Sequence, residues 1–332
     1  MLPEKRKKII VSIIAIIIFI IVVIAIGYLS KYIKSLHEVK MREDDKYPSI
    51  YEYYGILKDT DNVYNLYGLN EEEKNLNLHT FYSILDVYVK GQKIVLYSDA
   101  VNEVRYENSS ESFYFYELDS YYSNSYKVKL SEDYLLRTNG YNLDYWTYDK
   151  TEKTSISTNL IDDNILTNNN LVYYNIKDGI YSYNLKTKEN TLIIPSNYYS
   201  KLKLLKCNSN YLIYLEDNDL YVYDLNNNKN INLSEALGID ESNFLDLTLD
   251  GILILKEDVL SKYLVKTEEE KSINTEELND YQIKKCERIS DDLYHFTVMD
   301  SEEKLKSIIF SLENQKIVKE YTNNYLYIMK VN

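Results

Sequence analysis

The sequence is poor in the residues that build common catalytic and phosphate-binding motifs. Its 332 residues include only eight Gly and three Pro, too few for a collagen-like chain or a proline-rich linker. It contains no Gly-x-Ser-x-Gly nucleophile motif and no glycine-rich phosphate loop. We therefore predict that the protein is not an enzyme, because no catalytic residue is indicated.

Histidine is also scarce, which bears on metal binding. The three histidines, His37, His79 and His295, are not spaced as metal ligands. His295 lies in the stretch LYHFTV, which predicts a packed strand residue. The acidic stretches at residues 161–164 and 216–219 do not match a calcium loop and are typical of turns. We predict neither a metal nor a cofactor.

The charge of the chain is unevenly distributed. The formal net charge is -14, yet residues 1–42 contain eight Lys and Arg and only two Glu. Residues 43–332 therefore carry 30 basic and 50 acidic side chains. An acidic domain of this kind repels polyanions, because neutralising phosphates requires clustered Lys and Arg. We predict that nucleic acid is not a partner.

One long apolar stretch lies near the N-terminus. Residues 9–29 contain one Ser and no charged residue, enough to cross a hydrocarbon core of ~30 Å as a helix. A cleaved signal peptide is the alternative, with Ala25, Ile26 and Gly27 as a weak cleavage site. Its apolar region is usually shorter than this one. The stretch therefore predicts a membrane-spanning anchor.

The flanking charges predict how this anchor is oriented. Residues 1–8 form a dense basic cluster, whereas basic and acidic side chains are mixed after residue 30. The positive-inside rule then places residues 1–8 in the cytoplasm and the bulk of the chain outside the membrane. Apolar residues at helical spacing predict a helical stalk over residues 30–46, followed by a domain over residues 47–332.

Aromatic residues recur with a period near 40 in this domain. The chain has 37 Tyr against seven Phe. Three copies of one pattern, GIYSYNL, DLYVYDL and LSKYLVK, align the following tyrosines: Tyr183, Tyr223 and Tyr263. Apolar spacing of two indicates strands, and a period near 40 with several strands per unit is typical of propeller blades. Asp178 and Gly179 are expected to form a hairpin turn.

The sequence predicts an all-β fold, and the number of expected hairpins predicts a seven-bladed β-propeller. Six or eight blades also fit the pattern. The hairpins are expected near residues 50–69, 94–118, 134–149, 171–185, 211–225, 252–266 and 293–312. One strand, residues 324–331, is left over at the end. We predict that it completes the first blade and closes the ring, which protects the sheet edges.

The stretch DYWTYD, residues 144–149, resembles the Tyr-Trp-Thr-Asp signature of receptor-type propellers, with Tyr148 inserted before the acid. The chain also resembles membrane-anchored, tyrosine-rich bacterial propeller proteins of unknown function. The resemblance implies a ligand-binding or scaffolding role and supplies no catalytic residue. The inserted residue shifts the strand alternation, so the acid need not make the family's contacts between blades.

Two cysteines and three aromatic residues are the remaining candidates for site residues. Cys207 and Cys286 fall in blades separated by a whole blade, so we predict free thiols rather than a disulfide. Tyr198 and Tyr199 lie in a connection between blades and are binding candidates. Trp146, the sole Trp, is a third candidate, although a core position is favoured because large aromatics fill sheet interiors.

These features predict a single-pass membrane protein that displays a propeller outside the membrane. Its expected role is to bind a protein, a peptide or a glycan, or to act as a scaffold. Two alternatives stay open. One is an extracellular hydrolase that uses acids in the propeller funnel, and the other is a structural subunit of an envelope complex.

Overall fold

The computed structural model describes residues 26–29, 51–76, 78, 84, 86–90, 93–98, 100–107, 112–120, 127–131, 134–148, 152–161, 164–196 and 201–330. The chain divides into two compact units. The smaller contains Met1–Tyr47 and Arg105–Ser112, and the larger contains Pro48–Val104 and Phe113–Asn332.

Little of the predicted anchor lies within the described residues. Residues 26–29 are helical, and the rest of the predicted tail, span and stalk falls outside the described part. Among the residues that are described, no helix combines the length and the apolar character needed to cross a membrane. The division into residues 1–8, 9–29, 30–46 and 47–332 therefore stays a prediction.

The described strands form an all-β, seven-bladed propeller, as predicted. Each blade is a four-stranded antiparallel sheet. Blade 1 contains β1 (Tyr53–Lys58), β2 (Tyr64–Leu69), β3 (Glu73–Asn75) and the last strand, β28 (Tyr327–Lys330). Blade 2 contains β4 (Asp86–Lys90), β5 (Lys93–Tyr97), β6 (Ala100–Glu107) and β7 (Ser112–Ser120). Blade 3 contains β8 (Lys127–Leu130), β9 (Tyr134–Thr138), β10 (Leu143–Thr147) and β11 (Lys153–Ser157).

The remaining four blades follow in chain order. Blade 4 contains β12 (Leu166–Asn168), β13 (Leu171–Ile176), β14 (Gly179–Asn184) and β15 (Glu189–Pro195). Blade 5 contains β16 (Leu202–Cys207), β17 (Tyr211–Glu216), β18 (Asp219–Asp224) and β19 (Lys229–Asn232). Blade 6 contains β20 (Phe244–Leu247), β21 (Gly251–Lys256), β22 (Val259–Leu264) and β23 (Glu269–Ser272). Blade 7 contains β24 (Gln282–Arg288), β25 (Leu293–Met299), β26 (Leu305–Ser311) and β27 (Lys316–Tyr321).

Two short helical segments lie between blades. Helix α1 (Leu233–Leu237) connects blades 5 and 6, and a 3₁₀ turn (Glu276–Leu278) connects blades 6 and 7. The Asn232 side chain accepts a hydrogen bond from the Glu235 amide and so caps the start of α1, while Gly238 ends the helix with a φ of 64°.

The last strand closes the ring. β28 pairs antiparallel with β1, where Tyr54 faces Met329 and Gly55 faces Ile328. The amide of Leu326 donates to the carbonyl of Ile56 at 2.8 Å. The predicted closure is therefore confirmed, and it fixes the number of blades at seven.

Seven hydrophobic clusters fill the seven gaps between neighbouring blades. Strand β13 shows how the alternation of side chains serves two gaps at once. Val172 and Tyr174 pack towards blade 3, whereas Tyr173 between them packs towards blade 5. Because central strands are buried on both faces, they contain runs of apolar residues rather than a polar face.

The structure explains why tyrosine suits this fold. Tyr174 and Tyr214 occupy equivalent places in blades 4 and 5, and both rings are buried. The Tyr174 hydroxyl donates to Asn190 Oδ1 at 2.8 Å, and the Tyr214 hydroxyl accepts from Asn230 Nδ2 at 2.6 Å. Burial raises the pKa of Tyr174 to about 12. The ring thus fills a gap between blades while the hydroxyl finds a partner near the edge of the sheet. The predicted alignment of the repeats is confirmed, because Tyr183, Tyr223 and Tyr263 lie in the third strands of consecutive blades.

The hairpin turn of blade 4 differs from the prediction by one residue. Ile176 pairs with Gly179, so the two turn residues are Lys177 and Asp178, and Gly179 is the first residue of β14. Gly179 is needed there for another reason. Its φ is 149°, and an added Cβ would lie 2.1 Å from the carbonyl oxygen of Ile194 in the next strand.

We expect Gly179→Ala to destabilise the propeller by about 2 kcal/mol or more, because both the φ value and the contact with β15 resist a side chain. Chemical unfolding followed by the fluorescence of Trp146, the sole Trp, measures this change. Gly140→Ala is the matched control, since its φ of 87° is also strained but no atom lies within 4 Å of the added Cβ. Equal losses in the two variants would contradict the role of the close approach.

Candidate functional site

The seven strands nearest the propeller axis form the wall of a central channel. We call them the inner strands: β28, β4, β8, β12, β16, β20 and β24. Contacts between neighbouring blades identify them, because Asp86 in β4 accepts from the Leu130 amide in β8 at 2.6 Å. Asp246 in β20 likewise accepts from the Arg288 amide in β24 at 2.7 Å.

The inner strands are rich in basic residues. Their sequences contain nine Lys and Arg and three acidic residues, a net charge of +6. The basic residues are Lys90, Lys127, Lys129, Lys203, Lys206, Lys284, Lys285, Arg288 and Lys330. The acidic residues are Asp86, Asp246 and Glu287. The inner strands therefore carry a net charge opposite in sign to that of the domain as a whole.

A cleft of about 400 Å³ lies where several inner strands begin. It spans blades 2 to 5 and extends to the loop before β20. Its polar lining consists of Asp86, Lys127, Lys129, Thr138, Asn164, Lys203 and Glu241. Its apolar lining consists of Val128, Ile165, Leu166, Leu204 and Leu205. We call this space the axial cleft, and its volume is typical of small-ligand sites.

Two of the cleft lysines form ion pairs across a gap between blades. Lys129 Nζ lies 2.9 Å from Asp86 Oδ1, and Lys203 Nζ lies 2.7 Å from Glu241 Oε1. The side chains of Lys129 and Lys203 are 42% and 47% exposed, so both ammonium groups can be reached from solvent. An ammonium group has three donors, and one carboxylate oxygen occupies only one of them.

Further along the channel, Asp246 joins three blades. Its side chain is 0% exposed, and its two oxygens lie 2.9 and 3.0 Å from Lys206 Nζ in blade 5. The same carboxylate accepts from the amides of Arg288 in blade 7 and Leu247 in its own blade, both at 2.7 Å. A buried carboxylate with this many donors serves to hold the blades together.

The two thiols of the chain are free, as predicted. Cys207 ends β16 in blade 5, and Cys286 is buried in β24 of blade 7. The Cys207 sulfur lies 3.6 Å from the carbonyl oxygen of Thr167. Burial raises the pKa of Cys207 to about 12, although Lys129 and Lys206 act to lower it. At neutral pH the thiol is protonated and therefore a poor nucleophile.

His295 is a packed strand residue, as predicted. It lies in β25, is 2% exposed, and its Nε2 lies 2.9 Å from the Ser307 hydroxyl. Its Nδ1 has no hydrogen-bond partner among the described residues. Burial, with a smaller effect from the positive charge of Lys285, lowers its pKa to about 3. The folded protein therefore holds this imidazole neutral.

The lowered pKa of His295 predicts acid sensitivity. The unfolded chain binds a proton at this position below pH ~6.5, but the folded chain does not, so stability falls as the pH falls below that value. Between pH 7 and pH 5 we expect wild type to lose about 2 kcal/mol more than His295→Gln. Urea unfolding at the two pH values measures the difference. Equal losses would show that His295 does not titrate in this way.

The structure places only one of the three predicted binding residues. Tyr198 and Tyr199 lie outside the described residues. Trp146 is half-buried in β10, where it packs at the gap between blades 2 and 3. The Arg137 guanidinium lies 4.2 Å from its ring centre, and Lys153 Nζ lies 4.5 Å away. Trp146 is not part of the axial cleft lining, and a binding role for these three residues stays a prediction.

The turn prediction for residues 216–219 is confirmed, since Asp217 and Asn218 both have positive φ and join β17 to β18. Of the stretch 161–164, the two aspartates lie outside the described part. Across the part of the chain that is described, no group of three or more His, Cys, Asp or Glu side chains is arranged to hold a metal ion.

The sequence interpretation missed the cleft lysines. The two central strands of each blade and the closing strand β28 were predicted, but the inner strands of blades 2 to 7, which hold most of the channel charges, were not. The available signal was the recurrence of basic stretches shortly before the hairpins, namely KVKL, LKLLK and QIKKCER.

Comparison with known proteins supports the fold. No protein-family model matches the chain, and no curated protein matches its sequence. Among solved structures, the chain is similar to apo AztD from Citrobacter koseri, with 11% identity, a TM-score of 0.51, and coverage of 87% of this chain and 88% of that chain. At this identity the likeness concerns the fold alone.

Two further solved structures have lower scores. The computationally designed protein Ika8 has 10% identity and a TM-score of 0.49, with coverage of 81% of this chain and 84% of that one. Hsv2 from Kluyveromyces lactis has 10% identity and a TM-score of 0.46, with coverage of 80% and 98%.

Proposed function

We propose that this protein is a membrane-anchored binding propeller. Residues 9–29 form a single-pass anchor, residues 1–8 lie in the cytoplasm, and the propeller lies outside the membrane. The basic cluster before the apolar stretch supports this orientation. The chain then belongs with the tyrosine-rich, membrane-anchored propellers that its sequence resembles.

The orientation can be tested by adding a protease to intact cells that carry an N-terminal and a C-terminal epitope tag. We expect the C-terminal tag and the propeller to be degraded while the N-terminal tag survives. Permeabilised cells, in which both tags are accessible, provide the control. Survival of the propeller on intact cells, with degradation after permeabilisation, would contradict the proposed orientation.

The proposed ligand site is the axial cleft. The observation that carries this proposal is a cleft of about 400 Å³ at the axis, lined by both charged and apolar side chains from several blades. Sites for small ligands combine an apolar surface with a few polar groups that fix orientation. A peptide side chain, a short glycan or a protein loop could occupy such a space.

Hydrolysis is supported less well than binding. A pair of carboxylates in the funnel would need to face the substrate, yet Asp86 and Asp246 are occupied by donors from neighbouring strands. Both are bound by a lysine and by a backbone amide, which suits a structural role. We therefore propose no catalytic step.

A substitution that fills the cleft tests the proposed site. Peptides and glycans are screened for those that raise the melting temperature of the full-length chain in detergent. We expect such ligands to stabilise wild type but not Lys203→Trp, which places a large ring in the cleft.

Lys229→Trp is the matched control for this test. Lys203 forms an ion pair with Glu241, and Lys229 forms one with Glu268, both between blades 5 and 6. Lys229, however, lies in the outer strand β19. Ligands that stabilise Lys203→Trp as well as they stabilise wild type would overturn the assignment of the site.

A further inference from the structure

We infer that the axial cleft takes a small phosphate-bearing ligand. This inference rests on the proposed function and adds the chemical class of the ligand. It is carried by the separation of charge between the channel wall and the rest of the domain, together with the lysines at the cleft.

The separation of charge is large. Residues 43–332 carry 30 basic and 50 acidic side chains, a net charge of -20. The seven inner strands carry +6, so the remainder of this segment carries -26. The inner strands are thus basic within an acidic molecule, and three of their basic side chains, Lys203, Arg288 and Lys330, pair with acids outside these strands. A channel lined with one sign of charge concentrates ligands of the opposite sign.

The cleft repeats this pattern locally. Its lining includes Lys127, Lys129 and Lys203 against two acids, Asp86 and Glu241. The Asp86 carboxylate also accepts from the Leu130 amide at 2.6 Å, so part of its charge is used to join blades 2 and 3. Each paired ammonium keeps donors with which it can bind an anion.

The type of basic residue indicates phosphate rather than carboxylate. Among the residues that the structure describes, the lining of the cleft contains three Lys and no Arg. Lys acts as a point charge and commonly binds phosphate, and a phosphate group carries a charge of about -1.5 to -2 at pH 7 with three acceptor oxygens, more than a carboxylate offers. Asn164 contributes an amide group to the same lining.

The size of the cleft and the acidic exterior restrict the ligand further. A space of about 400 Å³ holds a small molecule such as a phosphate ester or a short phosphate chain. A long polyanion would also lie against the exterior, whose net negative charge repels it. A compact ligand that carries its phosphates at one end avoids this repulsion.

Calorimetry with tripolyphosphate tests the inference, using the full-length chain in detergent at low salt. We expect binding by wild type that weakens as salt is raised, because salt screens partly exposed charges. The double variant Lys127→Gln with Lys203→Gln should weaken binding at least tenfold. Its melting temperature is measured to show that the propeller is folded.

The control is the double variant Lys229→Gln with Lys271→Gln. It removes the same amount of charge, but from the exposed outer strands β19 and β23. We expect its affinity for tripolyphosphate to stay within twofold of wild type. Citrate, an anion with three carboxylates, should bind at least tenfold more weakly than tripolyphosphate.

Several results would overturn the inference. These are no binding by wild type, equal weakening in the two double variants, or citrate binding as tight as tripolyphosphate. If neutral ligands are blocked by Lys203→Trp while tripolyphosphate does not bind wild type, the phosphate inference fails and the proposed cleft site stands. If tripolyphosphate binds Lys203→Trp as it binds wild type, both the inference and the site fail.

Discussion

A chain that ends at Asn323 is expected to lose its cooperative unfolding transition and to form a molten or aggregated product. This truncation removes β28, the inner strand of blade 1, and leaves the edge of β1 unpaired. An exposed strand edge is a site for pairing with other chains. The circle of inner strands would then be interrupted between β24 of blade 7 and β4 of blade 2.

The lost interactions are comparable with the stability of a whole domain. Tyr325, Ile328 and Met329 are buried, and each contributes about 2 kcal/mol through burial. The truncation also removes a hydrogen bond to Glu73, whose carboxylate accepts from the Tyr325 hydroxyl at 2.7 Å. Total stabilities of domains are about 5–15 kcal/mol.

Urea unfolding followed by Trp146 fluorescence measures the effect, and a chain that ends at Lys330 provides the control. A synthetic peptide of residues 324–332, added to the truncated chain, should restore the transition if only the inner strand is missing. An unchanged cooperative transition in the truncated chain would show that the ring does not depend on β28.

Asp246→Ala is the second substitution with a large expected effect. It removes the acceptor that Lys206 and the Arg288 amide share, and so breaks contacts among blades 5, 6 and 7. We expect a loss of about 3 kcal/mol, because the Arg288 and Leu247 amides lose a buried, charged acceptor and the partly exposed Lys206 loses its counter-charge. Asp246→Asn, which keeps the shape but not the charge, should lose less.

Asp219→Ala provides the comparison for this substitution, because Asp219 is an exposed acid at the start of a blade 5 strand. Its loss should stay within about 0.5 kcal/mol. Urea midpoints at constant ionic strength measure both variants. If Asp246→Ala costs no more than Asp219→Ala, Asp246 does not hold the blades together.

The central strands of each blade could be predicted from the sequence because the features that define them lie close together along the chain. The hairpin of residues 211–225 has a short turn and side chains that alternate between two buried faces, and both features are visible in one window. The repeat of 40 residues has a physical meaning in the structure. It is the step from one blade to the next, as in the hydrogen bond that the Asn208 side chain donates through Nδ2 to the carbonyl of Thr248.

The inner strands could not be predicted in the same way. They are short and carry charges, and three of them are interrupted by β-bulges, for example between Leu204 and Lys206 and between Ile283 and Lys285. A bulge breaks the alternation by which a strand is detected. The lysines of the axial cleft come from different blades, so their proximity depends on ring closure rather than on any local pattern.

The order of strands in blade 1 has a consequence for biosynthesis. Glu73 and Tyr325, which meet at the closure, are 252 residues apart in the chain. The first blade to be synthesised is therefore the last to be completed, and its β1 edge stays open while every other blade is made. A chain delivered across a membrane from its N-terminal end would need protection of that edge, by a chaperone or by rapid export, until β28 arrives.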